Sequence, residues 1–213
     1  MNTTKPATPI RLYHHALSGH VHRVELFLTL LDLPFEKVTI DVFKREQRQP
    51  AFLARNPFGQ IPVIDDGELT LADSNAILVY LAKRYDASGR WLPDDPVGAG
   101  KVQRWLSVAA DQLASGPASV RFAALVGRPC DDSLLKLSKN LFELMEGELA
   151  TQAFIAADAP TIADLALYAY TAHAPEGGVS LQPYPKVRAW LARIEALPRF
   201  VGMQRSKTAV GAV

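Results

Sequence analysis

Apolar and polar positions alternate from Ile10 to His14, with Ile10 and Leu12 on one face and Arg11 and Tyr13 on the other, which is the period of a strand. From about Gly19 the period changes. Val24, Phe27, Leu28 and Leu31 recur at the spacing of one helical face, and Pro34 sets an end to that helix. β-Branched residues over 37–42 predict a second strand, so a strand, helix, strand unit with parallel strands is expected. A looser segment, 44–55, leads to NPFGQIPVIDDGELTLADSNAI, which runs from Asn56 to Ile77. There the pattern predicts a short strand (Ile61, Val63, Ile64), a tight acidic turn at Asp65-Asp66-Gly67, a second strand (Leu69, Leu71) and a helix opening at Asp73-Ser74. Ile77, Leu78, Leu81 and Tyr85 lie on one side of that helix.

Between Asp86 and Pro96 the composition shifts toward Gly and Pro, and beyond it only helical spacing survives. Val102, Trp105, Leu106, Ala109 and Leu113 mark one helix; Leu134, Leu137, Leu141, Leu144 and Met145 a second; Val187, Trp190, Leu191 and Ile194 a third. The expected organisation is therefore an α/β domain over 1–86, a linker over 87–96 and an all-helical domain over 97–213. After Pro160, Thr161 and Asp164 form a variant capping box with Asp in the place of Glu or Gln.

A chain of 213 residues, 48% of them hydrophobic, can bury one large core or two modest ones. Net charge is +1 with acids and bases interleaved, which argues against nucleic acid as a partner. The N-terminal residues carry no apolar segment of signal length and the run 26–31 is too short to cross a bilayer, so a cytoplasmic protein is expected. The single cysteine, Cys130, excludes an internal disulfide and a Cys-x-x-Cys pair, and two following carboxylates mark it as a neutral bystander. Four of the five histidines fall in HHxxxxHxH, from His14 to His22. His14 and His15 should point to opposite sides of a strand and lack carboxylate company, so no metal site is read there; a place beside a substrate pocket suits them better.

A proline inside an apolar run removes a ladder donor, which places Pro62 on an edge or beside a ligand. If the Ile61-Pro62 bond is cis, the backbone of Ile61 faces outward and can pair with an extended peptide. Nearby, the helix start at Asp73-Ser74 offers amides for an anion and a carboxylate for an ammonium. Together these suit a ligand with peptide groups and an amino-acid end. The plainer alternative keeps Pro62 as an edge breaker and Asp73 and Ser74 as helix caps.

This stretch resembles the glutathione-binding half of the cytosolic glutathione S-transferases, whose pattern runs NPxGxVP, a hairpin, then Glu/Asp-Ser opening a helix. The PTIAD string and PYPKVRAWLARIEALP extend the resemblance from about Arg11 to Phe200. The chain looks like a bacterial, serine-type (phi-like or theta-like) member. The resemblance implies a thioredoxin-like N-terminal domain with a mixed four-stranded sheet, followed by the all-helical domain, in a C2 homodimer. It implies Gln47 and Arg48 at the glycine carboxylate, Gln60, Ile61 and Pro62 at the cysteinyl backbone, and Asp73 and Ser74 at the γ-glutamyl end. Gln47-Arg48 stands where such members usually have His-Lys, and Asp73 is one methylene shorter than the commoner Glu. Neither departure removes a charge.

Glutathione would be a co-substrate, with no cofactor. A free thiol has a pKa of about 8.5, so a thiolate near neutral pH needs about two units, or ~2.7 kcal/mol. A hydroxyl donating to the anion gives about 1.5–3 kcal/mol and a helix N-terminus about 0.3–2 more. Ser18, after the first strand and five places before Arg23, stands where the serine-type pattern puts that hydroxyl. Serine is also a favoured N-cap, and Tyr13 is the competing hydroxyl. The second substrate, a hydrophobic electrophile, is expected near His14, His15, Trp105, Val108, Gln112 and Phe122, with His173 and Glu176 at the rim. Two other readings stay open: a glutathione-dependent peroxidase or disulfide reductase on the same scaffold, and a non-catalytic binding module.

Overall fold

The computed structural model describes residues 5–206. β1 (Ile10–His14) and β2 (Phe35–Thr39) run parallel, with Ile10 opposite Phe35 and His14 opposite Thr39, and α1 (Gly19–Leu30) crosses between them. β3 (Val63–Asp66) lies antiparallel to β1, and β4 (Leu69–Ala72) antiparallel to β3, giving the order β2-β1-β3-β4. The period-2 pattern of β1 is used on both sides. Ile10 and Leu12 join Ile64 in the core beneath α1 and α3 (Ser74–Tyr85), while Tyr13 and Val63 pack on the opposite face with Ile40 and Phe52 of the short α2 (Pro50–Leu53). This is a thioredoxin-like domain.

Two sequence expectations shift. The second strand occupies 35–39 rather than 37–42, because its register is fixed by β1, which ends at His14. The acidic pair is not a turn: Asp65 and Asp66 lie inside β3 and the chain reverses at Gly67, whose φ is 60°. Both carboxylates are held in the strand by hydroxyl donors. Tyr13 and Thr70 donate to Asp65, and Tyr80 and Tyr85 donate to Asp66.

The helical domain contains α4 (Pro96–Ala110), α5 (Ser119–Leu125), α6 (Asp132–Glu148), α7 (Ile162–Ala172) and α8 (Pro185–Glu195). Residues 162–171 of α7 are all buried, as a helix hydrophobic on every side must be, and α1, α3 and α4 pack around it. In α6 the buried stripe is Ser138, Leu141, Phe142 and Met145, whereas Leu144, expected in it, is 69% exposed. A π-turn over Ala114–Ala118, with Pro117 inside it, breaks the chain between α4 and α5. The expected linker is pinned, not free. Trp91 is buried edge-on against Phe27, and its carbonyl accepts from the Ile162 amide at 2.9 Å. Among the described residues no helix is long and apolar enough to cross a membrane.

Candidate functional site

Residues 56–62 build one wall of a groove of about 940 Å³. Asn56, 3% exposed, ties this loop from inside: its Nδ2 donates to the Gln60 carbonyl at 2.7 Å and its Oδ1 accepts from the Phe58 amide at 3.1 Å. Gly59 has φ 58°, and a Cβ there would come within 2.9 Å of the Gln47 carbonyl and the Arg48 side chain, so only glycine permits the approach. Arg48 donates to the Phe58 carbonyl at 3.0 Å and remains exposed at the groove. Gln47 donates to the Val42 carbonyl, leaving its buried Oε1 without a partner among the described residues. The Ile61-Pro62 bond is cis. Among the described residues neither the amide nor the carbonyl of Ile61 has a hydrogen-bond partner, so both remain available to an extended ligand.

The far end of the groove is the start of α3. Asp73 caps it from an unusual backbone (φ 72°), its Oδ1 accepting from the amides of Asn75 and Ala76 at 2.9 Å each. Its Oδ2 has no hydrogen-bond partner among the described residues, and the residue is exposed at the groove. Ser74, 5% exposed, is held from below by Arg23, which donates to the Ser74 hydroxyl at 3.2 Å and to Asn75 at 2.7 Å. The groove thus offers an arginine at one end, a carboxylate and the Ser74 amide at the other, and free backbone between them; the Asn75 and Ala76 amides, expected to be open to an anion, are taken by the Asp73 cap.

A smaller pocket of about 170 Å³ continues from the groove across Val42, Ile61 and Phe122. Ser18 lies on its wall. The serine is the N-cap of α1, its Oγ accepting from the Val21 amide at 3.3 Å, and its hydroxyl hydrogen has no acceptor among the described residues. Capping and donation are therefore compatible, because a hydroxyl has acceptor lone pairs and one donor. The remaining wall is His15, Leu17, Phe43, Ala118, Arg121, Leu125 and Tyr170, mostly apolar.

Tyr13 is placed elsewhere. It is 4% exposed on the far face of the sheet, its hydroxyl donates to Asp65 at 2.8 Å, and burial followed by that bond raises its pKa. Of the residues expected around the second substrate, His15 and Phe122 line the pocket; His14 lies behind it, against Glu25. Trp105, Val108 and Gln112 do not line it. Trp105 is 3% exposed, on the side of α4 that packs into the helical core. His173 and Glu176 are no rim: both are buried, His173 Nδ1 donating to Glu176 at 2.6 Å and Glu176 receiving Arg121 at 2.8 Å. The four clustered histidines go to separate partners: Glu25 for His14, the Leu17 amide for His15, the Tyr170 ring for His20 and the Val201 carbonyl for His22. Burial, then Asp131 and Asp132, hold the Cys130 thiol above its usual value. Arg121 and Tyr170 were not anticipated. Their signal was faint: an arginine in the apolar run SVRFAAL and a tyrosine in an otherwise apolar helix.

Two family models match the chain: Glutathione S-transferase, N-terminal domain, over residues 8–83, and Glutathione S-transferase, C-terminal domain, over residues 122–198. The chain is 34% identical to glutathione S-transferase 3 of Zea mays over 203 residues, covering 90% of this chain and 91% of that protein. Among solved structures it resembles a glutathione S-transferase from Pseudomonas fluorescens, at 33% identity and a TM-score of 0.87, covering 92% of this chain and 99% of that one. It also resembles a Drosophila mojavensis glutathione transferase homologue solved with bound glutathione, at 26% identity and a TM-score of 0.83, covering 89% of each chain.

Proposed function

The chain belongs to the glutathione S-transferase family, and from that premise we propose that it binds glutathione along the groove and ionises its thiol against Ser18 for attack on a hydrophobic electrophile. The observation that carries this reading is the uncommitted Ser18 hydroxyl hydrogen, at a pocket that shares Ile61 with the groove. Glutathione's cysteinyl backbone pairs with the free amide and carbonyl of Ile61, which sets its sulfur at the pocket end. Its glycine carboxylate meets Arg48 and Gln47, and its γ-glutamyl group meets Asp73 and Ser74, with Gln60 and Pro62 framing the turn between.

Ser18 acts as a hydrogen-bond donor, not as a nucleophile. The thiol proton leaves to solvent, the Ser18 O–H at the positive end of α1 holds the sulfur anion, and the thiolate forms a C–S bond at an electrophilic carbon lodged against Phe43, Phe122, Leu125 and Tyr170, displacing a leaving group such as chloride. No metal or cofactor is needed for that step. The exposed Phe58 and the hollow between α3 and α4, lined by Leu71, Val79 and Leu106, supply apolar surface for a homodimer. Light scattering at twice the chain mass would support that assembly.

Ser18→Ala should raise the pH at which bound glutathione ionises by about one to two units, since a hydrogen bond to a charged group is worth ~1.5–3 kcal/mol. Glutathione affinity, measured by calorimetry, should stay within about threefold, as uniform binding is untouched. Wild-type turnover of the mutant at pH 6.5 would sink the assignment. A panel of a chloronitrobenzene, an organic hydroperoxide and a mixed disulfide tests the reaction class; turnover confined to the last two would replace transfer by reduction.

A further inference from the structure

We propose that Arg121, from the helical domain, is a positioning residue that sets the Ser18 hydroxyl for thiolate stabilisation; this inference rests on the Ser18 reading above. Arg121 is 2% exposed, on α5, and its guanidinium bridges two groups. Nε donates to Glu176 Oε2 at 2.8 Å, and Nη1 donates at 2.8 Å to the carbonyl of Leu17, the residue before Ser18. The planar fork fixes the angle between those two bonds, so the place of Glu176 dictates the place of the Leu17 carbonyl.

Glu176 is itself held. Its Oε1 accepts from His173 Nδ1 at 2.6 Å and from the Ser206 amide at 3.3 Å. Burial alone would raise the Glu176 pKa, but the bonds from His173, Arg121 and Ser206 outweigh it and leave the carboxyl below its usual range, ionised opposite the arginine. The turn carrying Glu176 lies directly on α5: a Cβ on Gly177 would fall 2.8 Å from the Arg121 amide nitrogen.

On the other side, the His15–Ser18 turn is internally tight. The Ser18 amide donates to the His15 carbonyl at 3.0 Å and the Leu17 amide to His15 Nδ1 at 3.3 Å. The first turn of α1 is pressed on α7 as well, since a Cβ on Gly19 would come 2.8–2.9 Å from the Tyr170 ring. Moving the Leu17 carbonyl would therefore move Ser18 as a unit with it.

A buried ion pair is poor evidence for stability, because an apolar replacement often serves as well. What this pair supplies is direction, from the helical domain onto a loop of the other domain. Its charges nearly cancel, so its effect on the thiol should pass through Ser18 rather than through a long-range field.

The test is a double-mutant cycle on the full-length protein, reading the ultraviolet absorbance of bound glutathione thiolate against pH. Arg121→Lys keeps the charge but cannot reach both partners. It should lower the thiolate fraction at pH 6.5 by roughly threefold or more and lower kcat in step, with the glutathione KM within about twofold, as expected for loss of an interaction that matters only to the ionised state. In a Ser18→Ala background the same substitution should do nothing. If Arg121→Lys fails to fold, Arg121→Met with Glu176→Gln removes both buried charges and takes its place. The proposal is overturned if the shift is equal in both backgrounds, which would mean action by charge, or if a folded variant shows no shift while Ser18→Ala does. If Ser18→Ala itself leaves the thiolate unchanged, the Ser18 reading fails and this inference with it.

Discussion

Tyr13 and Ser18 both offer a hydroxyl near the end of β1, and what separates them is where each hydroxyl hydrogen goes. Tyr13 donates to Asp65, while no described acceptor takes the hydrogen of Ser18. The sequence shows that Ser18 suits an N-cap but not that its donor is left over, because that depends on the absence of any acceptor brought in by distant elements. Tyr13→Phe should therefore cost about 1.5–3 kcal/mol in urea denaturation, the net worth of a hydrogen bond to a carboxylate, and leave the thiolate pH profile where it is. A displaced profile would return Tyr13 to the chemistry. Asp73 separates cap from ligand in the same way. Asn at 73 keeps an oxygen for the Asn75 and Ala76 amides and tolerates the φ of 72°, but carries no charge for an ammonium. Asp73→Asn should weaken glutathione binding by roughly fivefold with little change in stability, whereas Asp73→Ala should also lose about 1 kcal/mol of helix capping. Equal glutathione affinity for Asn and wild type would leave Asp73 a cap alone.

Helix starts were the most legible elements because their chemistry is local. The Thr161 and Asp164 box can be read from four consecutive residues, and it closes as expected, with Asp164 accepting from the Thr161 amide at 2.8 Å. What local sequence could not show is that Asp164 also accepts from the Ile155 amide and the Trp190 indole, each at 2.8 Å, tying α7 to α8 and to the preceding loop. Thr161→Ala should cost about 1–2 kcal/mol and Asp164→Ala about 3–5 kcal/mol, since the second strands several buried donors at once. Similar losses for the two would mean that the cap, not the wider network, carries the stability. Element boundaries were less legible where partners decide them. The limits of β2 follow from the length of β1, and Asp65 and Asp66 stay in β3 through hydroxyls donated from β1, β4 and α3. The turn from α4 into α5, which brings Arg121 and Phe122 to the pocket beside Ser18, rests on a π-turn whose only local sign was Pro117 in a run of small residues.

At the scale of the whole chain, the division into halves was legible from where strand periodicity stops, but the joining of the halves was not. It depends on α1 and α3 packing against the buried α7, and on long-range contacts such as Trp91 on Phe27, Arg121 on Leu17 and His22 on Val201. The last of these gives the assembled molecule a pH dependence with a definite sign. His22 is 3% exposed on α1; its Nε2 donates to the Val201 carbonyl at 2.8 Å, and its buried Nδ1 has no partner among the described residues. A proton added at Nδ1 would place an unsolvated charge there, and burial accordingly lowers the ring's pKa from 6.5 to about 4, with smaller opposing pulls from the Val201 carbonyl and Glu25. Between those two values the unfolded chain binds a proton that the folded one refuses, so stability falls as pH falls. By pH 5 the loss from this ring should be about 2 kcal/mol, at ~1.4 kcal/mol for each unit below the unfolded pKa. Glu25 stays ionised through that window: hydrogen bonds from His14 and Lys37 outweigh its burial and hold it near 2, so its own contribution is lost only as pH drops below about 4.5. Urea midpoints measured from pH 7 to pH 5 should decline in the wild type and decline less in His22→Gln, whose amide still donates to Val201 but cannot take up a proton. Parallel slopes in the two proteins would show that His22 is not the group through which acid loosens α1 from the C-terminal segment.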